Sequence, residues 1–116
     1  NAPGPDVEPH IVVAIAPGGP EQAARRDDFA RDLFATIPNL KDLRINSSEP
    51  LRIGGQPGHQ IVATAKDTRT GHDVTVVQWV RFGSGAYIHL IGVARTDSWI
   101  AAYARFRQVR DGIEPR

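Results

Sequence analysis

Four histidines, four serines and a few carboxylate pairs are the side chains here best suited to chemistry, and their spacing argues against most of it. A zinc site needs ligands converging within about 2 Å of one ion, normally from recognisable local spacing. His10, His59, His72 and His89 show no HxH, HxxxH or HExxH pattern, and His72-Asp73 in a turn comes nearest to a ligand pair. Among Ser47, Ser48, Ser84 and Ser98, Gly83-Ser84-Gly85 superficially resembles a nucleophile elbow. That motif is GxSxG on a strand-to-helix turn, whereas this tripeptide joins two strand-like runs and uses glycine for its tolerance of positive φ. Asp27-Asp28 falls on a helix face, and Asp67 and Asp73 flank a turn beside Lys66 and Arg69. Pro17-Gly-Gly-Pro20 stands between strand and helix, where an anion can meet a helix N-terminus. It lacks the Lys-Ser/Thr of a P-loop and the spacing of GxGxxG. Arg105, Arg107, Arg110 and Arg116, with Trp99 and Tyr103, could stack on nucleic acid or grip an acidic partner. The aromatics occupy an apolar stripe, however, which leaves the arginines as a solvated flank or paired with Asp111 and Glu114. No catalytic residue, metal ligand set or cofactor is expected.

Composition bounds what remains. A chain of 116 residues is one domain, large enough for a core without staples. Hydrophobic residues at 41% and charged residues at 23% are ordinary for a globular domain. A net charge of +1 gives no global field to draw in nucleic acid or anionic lipid. The absence of cysteine excludes a disulfide framework, thiolate zinc sites and a thiol nucleophile. No apolar run approaches the roughly 18 residues of a membrane span. Methionine is absent too, so the chain reads as trimmed: Asn1-Ala2 as a tag remnant and Pro3-Gly-Pro5 as linker. Residues 1–9 are then linker, 10–113 a single domain and 114–116 a tail.

The elements that must position these side chains follow from hydrophobic periodicity. His10 to Ala16 is an unbroken apolar run, as in a strand covered on both faces. Pro20 and Glu21 suit the first turn of a helix, in which Ala23, Ala30, Leu33, Phe34 and Ile37 form the apolar stripe. Arg26 and Phe29 lie at its margin, and Asp27 and Arg31 form an i,i+4 pair on a solvated face. Leu43, Ile45, Leu51 and Ile53 alternate with Arg44 and Arg52, and Pro50 marks that strand as an edge. A three-strand meander fills His59 to Arg95, its turns at Thr68-Arg-Thr-Gly71 and Gly83-Ser-Gly85. Thr96-Asp97-Ser98 offers N-cap chemistry to a last helix with Trp99, Tyr103, Phe106, Val109 or Arg110, and Ile113 on one side.

Strand pairing decides which side chains share a surface. Lys66 opposite Asp73 makes a cross-strand ion pair, and that register sets Val62 against Val77 and Gln60 against Trp79. With the Gly-Ser-Gly turn centred on Ser84, one face holds Ile61, Ala63, Ala65, Val74, Val76, Val80, Phe82, Ile88, Leu90, Gly92 and Ala94. The other gathers Trp79, Arg81, Tyr87, His89 and Arg95, whose aromatic and arginine groups are favoured binding anchors. A slip of one residue would exchange the faces.

The pattern as a whole is similar to a known one. An apolar strand, a helix, a Gly54-Gly-Gln-Pro-Gly-His59 turn, Val76-Val-Gln-Trp-Val-Arg81, Gly83-Ser-Gly-Ala-Tyr-Ile-His89 and a closing Trp/Phe helix resemble the PsbP/DcrB-like superfamily across residues 10–113. That group includes photosystem extrinsic subunits, small exported bacterial lipoproteins and a Ran-binding nuclear protein. The resemblance implies an α+β fold, a mainly antiparallel sheet of about five strands between two helices, and a non-enzymatic accessory role. It also implies further strands ahead of the first helix, mostly absent here. The expectation is a domain of an exported bacterial protein, periplasmic or lipoprotein-anchored, that binds a protein or envelope partner and no nucleic acid. The alternatives are a small-ligand or metal-dependent enzyme domain using His89 or His72, or a structural homodimer.

Overall fold

The computed structural model describes residues 8–20 and 22–112. Along them run β1 (His10–Pro17), a 3-10 turn (Ala23–Arg25), α1 (Arg26–Phe34), β2 (Leu40–Ile53), β3 (Gln56–Asp67), β4 (Asp73–Phe82), β5 (Ala86–Arg95), a second 3-10 turn (Thr96–Ser98) and α2 (Trp99–Asp111). The expected α+β fold is present. The five strands form one antiparallel sheet in the order β1-β5-β4-β3-β2.

β4 is the reason both helices are where they are. Its run Val-Thr-Val-Val-Gln-Trp-Val-Arg-Phe is buried at every position from Val74 to Phe82. A strand with apolar groups on both faces needs cover on both. On one face, Val74, Val76, Val80 and Phe82 pack with Ile61, Ala63 and Val93 against Ala30 and Phe34 of α1. On the other, Val77 and Trp79 pack with Ile53, Leu90 and Ala94 against Ala102 and Phe106 of α2. The stripes fall as their spacing requires at Ala30, Leu33 and Phe34 and at Trp99, Tyr103 and Phe106, but Ala23 is exposed in the 3-10 turn and Ile37 lies past the end of α1. Arg110 rather than Val109 faces the sheet, its guanidinium over the Trp79 ring at 4.9 Å.

The β3–β4 register is the one the Lys66–Asp73 pair dictates, with their N–O distance at 2.9 Å. The β4–β5 register is one residue away from a turn centred on Ser84. Gly83 N–H donates to Ala86 O at 2.9 Å, which leaves Ser84-Gly85 as a two-residue tip, Gly85 having φ 78. Phe82 therefore faces Tyr87 and Val80 faces His89. That step sends Tyr87, His89, Ile91 and Val93 to the α1 face and Ile88, Leu90, Gly92 and Ala94 to the α2 face, the reverse of the expected assignment for this strand.

Two other expectations are corrected. Among the described residues β1 is not doubly covered but an edge, with Val12, Val13 and Ile15 exposed by 54%, 47% and 76%. An apolar run reports low polarity, and a sheet edge can have that too. At α2, Ser98 makes no side-chain cap bond. The chain enters through the 3-10 turn, where the Trp99 N–H bonds Thr96 O, and the Ser98 hydroxyl goes to Asp97 instead. The linker at 1–7, Glu21, Ile113 and the 114–116 tail lie outside the described residues.

α2 comes close enough to bury Phe106 because β5 has glycine beneath it. A Cβ at Gly92 would stand 2.6 Å from the Phe106 ring. Gly92→Ala is expected to lower stability by about 1–3 kcal/mol, the range for overpacking, seen as a lower melting temperature. Phe106→Leu added to it should recover part of that loss.

Candidate functional site

The side chains expected to form one polar surface are dispersed by the β4–β5 register. Trp79 and Arg81 lie on the α2 face, whereas Tyr87 and His89 lie on the α1 face. Arg95 stands opposite Val74, at the far end of β4 from Arg81, roughly 23 Å away at about 3.3 Å per residue. His72, in the β3–β4 turn, is eight residues from Val80, which faces His89, or roughly 26 Å from it at about 3.3 Å per residue. The residues anticipated as binding anchors are thus components of two separate packed layers.

On the α1 face a buried polar chain crosses the layer. The Gln78 amide, fully buried, donates to Ala30 O of α1 at 2.8 Å. Its oxygen is then free to accept, and His89 Nε2 lies 2.8 Å away. With the amide orientation fixed by Ala30, the network places the proton on His89 Nε2. Burial holds the His89 pKa below its ordinary 6.5.

A second constellation was not anticipated from sequence. Asp27 of α1, Ser48 of β2 and His59 of β3 meet in space: Ser48 Oγ lies 2.9 Å from His59 Nε2 and donates to Asp27 Oδ1 at 3.2 Å, while His59 Nε2 lies 3.1 Å from the same Oδ1. The residue types are those of a hydrolytic triad, but the connectivity is different. In a triad the carboxylate bonds the ring nitrogen remote from serine, so that the near nitrogen can take the serine proton. Here serine and carboxylate share one nitrogen. The serine proton points to Asp27, so Nε2 donates and cannot act as base toward Ser48. The cluster fastens α1 to β2 and β3. Ser48 pairs at neither bulge and stands opposite Ile61, two residues from His59, a proximity no linear motif signals. Burial lowers the His59 pKa against the opposing pull of Asp27. Desolvation alone would raise the Asp27 pKa, but hydrogen bonds from Arg31 and Ser48 outweigh it and set it below 3.8.

On the α2 face Trp79 Nε1 donates to Gln60 Oε1 at 2.7 Å, and Tyr103 O–H reaches the same oxygen at 3.4 Å. Arg81, 7% exposed, has an Nε with no hydrogen-bond partner among the described residues. An open cleft of about 310 Å³ lies at the other end of this face, lined by Asp42, Arg44, Thr64, Lys66, Asp73 and Thr96. Its charges balance, and Lys66 is already bonded to Asp73. No group of three or more His, Asp or Glu among the described residues could hold a metal.

The sheet's two edges differ sharply. β2 carries Lys41, Asp42, Arg44, Glu49, Pro50 and Arg52, and its register shifts between Lys41 and Arg44 and between Ile45 and Ser47. Charge, proline and bulges are the devices that keep an edge from pairing. β1 has none of them between Ile11 and Ala16, and its register to β5 is continuous over all eight residues. Its backbone orientation can be read directly. Gly18 N–H bonds Gly85 O at 2.8 Å, directly opposite in the register that pairs Pro17 with Ala86. By alternation, Ala16, Ala14 and Val12 turn their backbone groups to β5, and Ile15, Val13 and Ile11 turn theirs outward.

Two outcomes follow from the buried polar groups. For His59 and His89 the unfolded chain binds protons near 6.5 and the folded chain only at lower pH, so stability is full above 6.5 and falls as pH drops below it. Urea unfolding between about pH 8 and about pH 5 should show this slope, and His89→Gln should flatten it. Arg81→Met should leave stability unchanged or raise it by about 1 kcal/mol, since it removes a buried Nε that finds no acceptor among the described residues. A loss would reveal a partner for the guanidinium.

No family model matches the chain, and no curated protein matches it. Among solved structures it is similar to PA94 from Pseudomonas aeruginosa, a protein of unknown function, at a TM-score of 0.72 and 19% identity, covering 99% of this chain and 78% of that one. It is also similar to LpqN of Mycobacterium tuberculosis, described as involved in cell envelope biogenesis, at a TM-score of 0.64 and 19% identity, covering 90% of this chain and 61% of that one. Neither is described by a catalytic activity, and at this identity the likeness establishes the fold. No helix among the described residues is long and apolar enough to cross a membrane.

Proposed function

We propose that this chain is a non-catalytic interaction domain of an exported bacterial protein, and that it engages a protein partner of the cell envelope by accepting a strand along β1. The observation that carries the reading is the contrast between the guarded β2 edge and the unguarded, apolar β1 edge. An extended chain added there gains main-chain hydrogen bonds from Ile11, Val13 and Ile15, and side-chain pockets at alternate positions supply specificity. The envelope assignment draws support from the description of LpqN and from the PsbP/DcrB-like pattern of elements. The donor orientation of His59 toward Ser48 favours this reading over a hydrolase, and the commitment of His89 Nε2 to the buried Gln78 amide disfavours a ligand or metal site at His89. Trp79, Tyr87 and His89 then serve binding indirectly, by holding the two helices on the sheet behind β1.

Titration with extended Val/Ile-rich peptides of about ten residues, followed by backbone amide NMR, tests this. Shifts should gather at Ile11 to Ile15 and the facing residues of β5, and a peptide with proline at its centre should lose them. Shifts confined to Trp79, Arg81 and Arg95, none of which faces β1, or no shifts at all, would refute it.

A further inference from the structure

β1 has a symmetry that its neighbours lack. The segment reads Pro9-His-Ile-Val-Val-Ala-Ile-Ala-Pro17, centred on Val13. Ile11 and Ile15 lie two residues to either side, Val12 and Ala14 one, and Pro9 and Pro17 four. The positions whose backbone groups point outward are the odd ones: Ile11, Val13 and Ile15. Pro9 and Pro17 fall at the same parity and lack an N–H. They bracket the part of the edge that can donate.

We propose that β1 pairs antiparallel with β1 of a second copy of this chain about a two-fold axis at Val13, joining two sheets into one; this rests on the reading of β1 as a pairing edge. In that register Val13 exchanges both hydrogen bonds with its mate, and Ile11 exchanges both with Ile15 of the other copy, all outward-facing groups. Pro9 meets Pro17, so no donor is left facing an occupied ladder. Shifting the axis to Ala14 places Ile11 opposite Pro17, and shifting it to Val12 places Ile15 opposite Pro9. Each shift sets an isoleucine carbonyl against a proline with no N–H to give it, and separates the isoleucines. The side chains agree with the backbone: Ile11, Val13 and Ile15 stand opposite Gly92, Leu90 and Ile88, on the α2 face, and the two-fold brings both sets together in one apolar stripe. No charged side chain lies between Ile11 and Ala16, so the isologous contact carries no like-charge repulsion. One strand edge buries less than the roughly 1,200 Å² of a standard complex, and the dimer is accordingly weak.

Sedimentation of the full chain from about 10 µM to about 1 mM should show mass rising toward twice the monomer value, as a weak interface requires. Val13→Lys should abolish the rise while far-UV circular dichroism stays unchanged, and Ile45→Lys on the β2 edge should leave it intact. As the chain has no cysteine, Val13→Cys offers a second test. At a two-fold centre the Cα atoms lie about 5.5 Å apart, within reach of a disulfide, so Val13→Cys should form a covalent dimer at least tenfold faster than Val12→Cys. A monomer at every concentration, or equal crosslinking at both positions, overturns the proposal. If such a monomer still binds the apolar peptides at β1, the edge reading stands and only self-pairing falls; if it binds none, both fall. Slow amide exchange at Ile11, Val13 and Ile15 in the dilute monomer would mean the chain's own flanking segment already occupies the edge, which also overturns self-pairing.

Discussion

The interaction on which the rest depends is the burial of β4 on both faces. A strand flanked by two others has its backbone satisfied by the ladder, but a polar side chain on it must find its partner within the packed layers or remain unpaired at a cost of about 1–3 kcal/mol. Gln78 solves this by bonding Ala30 O in α1 and His89 in the neighbouring strand. It thereby fixes where α1 sits along the sheet, because that carbonyl belongs to one turn of one helix. Trp79 solves it through Gln60, which Tyr103 of α2 also reaches. Each helix is thus indexed to β4 by a hydrogen bond as well as by apolar contact, and dispersion forces alone would not discriminate between registers in this way.

The same constraint explains why residue types suited to catalysis meet here without a catalytic arrangement. α1 carries Asp27 toward the β2–β3 ribbon, where His59 is buried and needs an acceptor. Ser48 and Asp27 share that task at one nitrogen. A group that bonds its neighbours in this way is a fastener: its proton is committed and its pKa shift reflects burial. Tyr87 likewise lies edge-on to Phe29 at 4.9 Å, an aromatic contact that packs α1's first turn rather than a surface waiting for a ligand.

Much of this was legible in the sequence, and the misreadings have physical causes. The β3–β4 register was readable because Lys66 and Asp73 are complementary charges beside a turn, and only one alignment pairs them. The β4–β5 register lacked such a marker. Gly83-Ser84-Gly85 permits a two- or a three-residue tip, and both alignments set apolar residues against apolar residues, since Tyr87, Ile88, His89 and Leu90 suit either side of a doubly covered sheet. Where both faces are buried, period-two alternation no longer says which is which. The Asp27–Ser48–His59 meeting was invisible for a related reason: it depends on α1 crossing from one sheet edge to the other, which no local spacing encodes.

The sheet's asymmetry is the last step. β2 is 14 residues long, charged and twice irregular, while β1 is eight residues, regular and apolar. If an open edge were merely tolerated, selection against non-specific pairing would act on both edges alike. Lysine, arginine, proline and two bulges occur on one edge and none of them within the core of the other. The fold's stability does not require this difference, because β1 contributes few buried side chains and α1 packs chiefly over β3 and β4. A charged residue at Val13 or Ile15 would leave both cores intact. The apolar character of β1 is therefore not something the domain's two cores call for, which is the ground for reading β1 as a pairing edge.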